Sequence, residues 1–191
     1  MLFEGDRRDR HLIVLEAGFA KVTTVAMGEA IVLSVRGPGD LLGEAFVLGG
    51  PARQATVTAL GPLTYLAVSE LEFLRFLSRE ASAYRALAAS LSARLSWSDR
   101  RRAEAKAFPA AVRLARLLVD LGSEYGEPTP GGFLLATPLT QVDLASMISL
   151  SVAAVEKASR TLRHLGLLRS DRSRRRVIDL DGLRAFDDRV Q

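Results

Sequence analysis

The sequence predicts an α+β protein with a strand-rich N-terminal half of the jelly-roll or sandwich kind, one long helix, and a C-terminal winged helix-turn-helix. Three observations predict it. Short apolar and β-branched runs broken by Gly and Pro fill residues 1–77. A stretch of helical period without Gly or Pro runs over Ala83–Ala107. Leu139–Leu168 then reads as two short amphipathic helices around a tight polar turn, the arrangement that presents one helix to the DNA major groove.

Leu12–Leu15, Ala20–Val25, Ala30–Val35, Ala55–Leu60 and Leu63–Val68 have strand length and composition. Met27-Gly28, Gly37-Pro38-Gly39-Asp40 and Gly61-Pro62 are turn signals between them. The pattern changes at Ser69, which with Glu72 three residues on forms a capping box opening a helix over Ser69–Leu77. In the long helix, Tyr84, Leu87, Ala88, Leu91, Leu95 and Ser98 recur at spacings of three and four. So narrow a stripe suits a two-helix dimer seam better than a broad core face. Phe108-Pro109 breaks the helix and marks a domain boundary.

Beyond the break, Ala110–Leu121 is amphipathic through Leu114, Leu117, Leu118 and Leu121. Gly122–Gly132 reads as a loop and Phe133–Ala136 as a short strand. Thr140 caps the next helix with Asp143 at the third position. Leu144, Met147 and Ile148 give that helix its apolar face, and Ser149-Leu150-Ser151 the turn. Ser151 caps a second helix over Val152–Leu165, with Val155, Ala158, Leu162 and Leu165 expected inward and Val152, Ala153, Glu156, Lys157 and Arg160 outward or partly outward. Gly166 sits where a glycine ends a helix, and Leu167–Leu180 reads as a hairpin whose tip carries Arg172, Arg174, Arg175 and Arg176. Arginines there would hold phosphates rather than read bases.

Charge supports that reading. The chain has 191 residues and a net charge of +4. Residues 1–98 carry ten basic and ten acidic side chains, whereas residues 157–176 carry eight basic against Asp171 alone. Charge concentrated beside a candidate recognition helix points to a nucleic-acid partner. No apolar run is long enough to span a bilayer and no signal peptide is visible, so a cytoplasmic, non-membrane protein is expected. The chain has no cysteine, which excludes disulfides and thiolate-held clusters, and its two histidines, His11 and His164, are too few for a His-based zinc site without carboxylate help, so no metal is expected. With no P-loop and no ordered Ser/His/Asp set either, no enzyme is expected.

In this order the segments resemble the cyclic-AMP receptor (Crp/Fnr) family of bacterial transcription regulators. Leu2-Phe3-Glu4-Gly5-Asp6 looks like an early barrel strand, and Gly18-Phe19-Ala20-Lys21-Val22 a strand start. Gly37–Glu44 is similar to the glycine-rich turn entering the nucleotide cassette, and Pro51–Val57 to its end. The resemblance implies a cyclic-nucleotide-binding jelly roll that lacks its first strands, or a start upstream. It implies an effector domain over 1–82, a dimerisation helix and hinge over 83–108, and a DNA-binding domain over 109–191. It also implies a homodimer on double-stranded DNA with RNA polymerase as a further partner, and cyclic AMP as the candidate effector. The effector residues so implied are Gly43, Glu44 for the ribose hydroxyl, Arg53 for the phosphate, Gln54, and Ser98 and Asp99 toward the base. The DNA-facing residues implied are Thr140, Gln141, Ser151, Val152, Ala153, Lys157, Arg160, Arg172, Arg174 and Arg175.

Two departures narrow the resemblance. Gln54 stands where nucleotide-binding members usually have a small residue. The family's Ser-Arg-x-Thr-Val start of the recognition helix is here Ser151-Val152-Ala153-Ala154-Val155, so the guanine-reading arginine and its acidic neighbour are replaced by Val152 and Ala153. Apolar side chains there can meet thymine methyls, and Lys157 can reach guanine acceptors. A ligand-independent regulator and a nucleotide-binding module acting on a partner protein are the alternatives.

Overall fold

The structure is a computed structural model that describes residues 11–49, 55–170 and 176–188. The chain divides into two compact units, 1–102 and 103–191, with the break inside the long helix.

In the first unit two antiparallel sheets face each other. One has the order β4 (Leu41–Leu42), β1 (His11–Ala17), β6 (Thr64–Ser69); the other β3 (Glu29–Arg36), β2 (Ala20–Ala26), β5 (Thr56–Ala59). Alternation along β1 sends Ile13 and Leu15 inward, where they pack with Leu42, Ala20 and Val57. Leu12 points to the opposite face, where it packs with Val47, Phe73 and Leu77. A helical layer therefore covers one sheet, built from α1 (Glu44–Val47), α2 (Glu70–Arg79) and the start of α3 (Ala81–Ala107). Each fully buried side chain of this size contributes roughly 1.5–3 kcal/mol. The Met27-Gly28 turn joining β2 and β3 has positive φ at both residues, 53° and 82°, the hairpin geometry that matches strand twist. The Ser69–Glu72 capping box forms at α2 as the sequence predicts.

Along α3, Ala83, Leu87, Leu91, Arg94 and Trp97 are half-buried, while Tyr84 and Leu95 remain 58% and 63% exposed. The expected seam thus splits. Leu87 and Leu91 lie on the half-buried side, and Tyr84, Ala88, Leu95 and Ser98 form an exposed stripe.

In the second unit α4 (Ala110–Tyr125) buries Val112, Leu114, Leu117, Leu118 and Leu121 and packs against α6 (Val152–His164) and α7 (Leu180–Asp188). A four-stranded antiparallel sheet has the order β7 (Gly126–Thr129), β8 (Gly132–Leu135), β10 (Arg176–Ile178), β9 (Leu168–Ser170). Two sequence expectations are corrected here, and one further element is found. Gly122–Gly132 is not a plain loop, because the last turn of α4 reaches Tyr125 and Gly126–Thr129 pairs with β8. Leu165 is 55% exposed rather than inward, because α6 ends at His164 and the chain turns away. The C-terminal segment holds α7, whose Leu183 is fully buried and whose start is capped by Asp179 accepting from the Gly182 amide at 3.0 Å.

Candidate effector site and nucleic-acid interface

Gly37–Glu44 forms a built turn in the first unit. The Asp40 carboxylate accepts from the Gly37 amide at 2.9 Å, and Leu15 of β1 donates its amide to the Asp40 carbonyl at 2.9 Å and accepts from the Gly39 amide at 2.7 Å. The chain then enters α1 through Gly43 at φ 91°, a left-handed conformation that favours glycine. Its neighbour Glu44 is 6% exposed. A carboxylate buried to that degree needs a partner, and Arg94 of α3 supplies it with an ion pair. The same guanidinium donates to the Leu41 carbonyl at 2.9 Å and lies 3.7 Å from Asp40. Arg94 thereby fastens the long helix to the glycine-rich turn.

The other expected effector residues fall differently. Arg53 and Gln54 lie outside the described residues. Ser98 is exposed one helical turn beyond Arg94, on the same side of α3. Asp99 is exposed and ion-paired with Arg102 three residues on, not with the turn. The Trp97 ring is covered by the Arg101 guanidinium at 5.1 Å. Arg94 is the residue that sequence reasoning missed. Its only sequence signal was a cation at half-buried spacing on a helix expected to be a seam.

In the second unit the helix-turn-helix is built from local caps. At the start of α5 (Gln141–Met147), Thr140 Oγ1 accepts from the Asp143 amide at 3.1 Å, and Asp143 accepts from the Thr140 amide at 2.9 Å. Gln141 follows at the first helical position, half-buried. At α6, Ser151 Oγ accepts from the Ala154 amide at 3.2 Å. Val155, Ala158, Ser159 and Leu162 are buried, leaving Val152, Ala153, Glu156, Lys157 and Arg160 exposed as the spacing predicts. The helix ends in a Schellman motif. The Leu167 amide donates to the Leu162 carbonyl and Gly166, at φ 73°, to the Arg163 carbonyl, both at 2.9 Å.

The wing is corrected in one respect. Arg172, Arg174 and Arg175 lie outside the described residues, but Arg176 is half-buried in β10, where it pairs with Leu135 and Ser170. Desolvation there, reinforced by nearby Arg163 and opposed by Asp143, lowers its pKa. Arg176 belongs to the base of the wing. Arg169 is also engaged, donating to the Gly131 carbonyl in the β7–β8 turn.

A family model of Crp-like helix-turn-helix domains matches residues 112–186, and one of cyclic nucleotide-binding domains matches residues 1–80. The chain belongs to the Crp/Fnr family. It is a DNA-binding transcription regulator with an effector-binding domain. A CRP-like cAMP-activated global transcriptional regulator of Mycobacterium tuberculosis is 23% identical over 167 residues, covering 87% of this chain and 74% of that protein. Two solved structures share this fold. FixK2 from Bradyrhizobium japonicum superimposes with a TM-score of 0.82 at 18% identity, over 97% of this chain and 91% of that one. A CRP/FNR-family transcriptional regulator from Thermus thermophilus does so with a TM-score of 0.75 at 22% identity, over 100% of this chain and 95% of that one. Among the described residues no helix is long and apolar enough to cross a membrane, and no group of three or more metal-ligating side chains occurs.

Proposed function

We propose that this Crp/Fnr regulator acts in the cytoplasm as a homodimer, without enzymatic activity. Its α6 would enter the major groove, and its barrel would take a small anionic effector of the cyclic-nucleotide class, with cyclic AMP first among candidates. The observation that carries the DNA reading is the face of α6 left exposed by packing: Val152, Ala153, Lys157 and Arg160, behind a Ser151 cap. Arg172, Arg174 and Arg175 of the wing would add phosphate contacts. Thr140 and Gln141, at the N-terminus of α5, would meet the backbone beside the groove. The exposed stripe Tyr84, Ala88, Leu95 and Ser98 supports a helix–helix dimer, with two half-sites about one DNA turn apart. RNA polymerase is the expected further partner. Residues 1–82, 83–108 and 109–191 would serve as effector domain, dimerisation helix and DNA-binding domain.

On the effector side, Gly43 in its left-handed conformation and the buried Glu44 fit a cassette in which Glu44 meets a ribose hydroxyl and Arg53 the phosphate. Because Arg94 of α3 already holds Glu44, a ligand that engages this carboxylate also acts on the long helix. Selection from a random duplex pool, read by gel shift, tests the DNA reading. Salt-sensitive retention of a two-fold symmetric site is expected, and no retention would overturn it. Calorimetry with cyclic AMP and cyclic GMP tests the effector. Heat that disappears in Arg53→Ala supports the cassette, and no heat with either nucleotide favours ligand-independent regulation.

A further inference from the structure

Two Schellman motifs close the two helices of the helix-turn-helix, and they differ at the left-handed position. At the end of α6 the left-handed position is Gly166. At the end of α5 it is Ser149, at φ 52°, with the Leu150 amide donating to Ala145 at 2.9 Å and the Ser149 amide to Ser146 at 3.2 Å. Glycine adopts this conformation without strain, whereas a Cβ there meets the neighbouring carbonyl. The strained turn is the one that sets the direction of α6.

Arg113 of α4 stands against that turn. It is 8% exposed, and its Nη2 donates to the carbonyl of Ile148 and, at 3.2 Å, to that of Ser149. Its Nη1 makes a longer contact, 3.5 Å, to the Ala105 carbonyl in the last turns of α3. Those turns are held to α4 a second time, by Arg116. Its guanidinium pairs with the buried Glu104 at 3.3 Å and stacks on the Phe108 ring at 3.9 Å. Burial lowers the pKa of Arg113 and Glu104 opposes that shift, so the cation is kept where desolvation disfavours it.

We propose that Arg113 is a positioning residue for DNA recognition, bracing the strained Ser149 turn so that α6 is held at a fixed angle to α4 and the end of α3. The inference rests on the DNA-binding reading above. The strain supplies its own test, because removing the strain should remove the need for the brace.

In the full-length protein, Arg113→Ala should weaken binding to the pool-selected duplex by about tenfold, the scale of losing hydrogen bonds from a charged group. Ser149→Gly alone should leave affinity near that of the parent, and Arg113→Ala with Ser149→Gly should recover most of the loss. Hydrogen exchange at the Leu150 amide supplies a readout independent of DNA: faster in Arg113→Ala, restored in the double variant. Where Arg113→Ala does not fold, Arg113→Lys, which keeps charge but loses the forked geometry, is read by the same two measurements. Equal weakness of the single and double variants in both readouts would overturn the proposal, as would parental affinity and exchange in Arg113→Ala. If the parent retains no duplex, the DNA-binding reading fails, while the exchange data still decide whether Arg113 braces the turn.

Discussion

Arg94 on the long helix forms an ion pair with Glu44, fifty residues earlier, at the exit of the glycine-rich turn. The Glu44 side chain is 8% exposed and that of Arg94 22%, so the two ends of the pair are not equivalent. Arg94→Ala leaves a buried carboxylate without its cation, whereas Glu44→Gln leaves a guanidinium that still reaches water, Asp40 and the Leu41 carbonyl. Arg94→Ala should therefore destabilise the first unit by about 2–4 kcal/mol, a figure discounted for the partial exposure of Arg94, and Glu44→Gln by distinctly less. Urea unfolding of the two variants checks the order.

Two glycines should respond unequally to the same substitution. Gly166 has φ 73° and open space where a Cβ would stand, so Gly166→Ala carries only backbone strain, about 1 kcal/mol. Gly18 has φ 81°, and a Cβ there would lie 2.4 Å from the Pro62 carbonyl oxygen and 2.7 Å from Leu63 Cβ. Gly18→Ala should lose at least twice as much as Gly166→Ala by thermal or denaturant unfolding.

Lys157 and Arg160 are exposed on α6. Lys157→Ala and Arg160→Ala should leave stability within about 0.5 kcal/mol of the parent. Each that contacts phosphate should reduce the slope of log affinity against log salt by about 1. A Lys157 that reads a base instead should relax preference at one operator position when removed. Affinity measured across a series of salt concentrations separates the two roles.

The start of α2 should be sensitive to acid. Hydrogen bonds from the Ser69 side chain and backbone hold Glu72 below the ordinary carboxylate range. A carboxylate with a depressed folded pKa contributes its stability above the unfolded value and loses it as pH falls through the folded one. Exchange of the Glu72 amide, protected by Ser69 Oγ, should therefore quicken at low pH relative to other helical amides, and Glu72→Gln should flatten that dependence.

What could be read from the residues alone was what depends on near neighbours. Caps at Ser69, Thr140 and Ser151 and the stop at Gly166 each involve atoms within a few positions, so composition and spacing carry them. Buried Val155, Ala158 and Leu162 of α6 follow from its period, whereas Ser159 is buried beyond that expectation and Leu165 turns outward where the helix ends. The nine-residue α7 escaped because Gly182 interrupts its pattern, although Asp179 was a cap signal. Arg176 read as one more wing charge because its neighbours are basic, and only pairing in β10 shows it half-buried.

The succession of strand-rich half, long helix and winged helix-turn-helix, the concentration of charge around α6 and the resemblance to Crp/Fnr regulators were legible in the residues as a string. Which cations hold the framework together was settled only by packing. Arg94 meets Glu44 and Arg113 meets Ile148 and Ser149 across separations of 50, 35 and 36 residues. An arginine's partner is chosen by which carboxylate or carbonyl the packed helices leave beside it without water, and that depends on burial in three dimensions rather than on spacing along the chain.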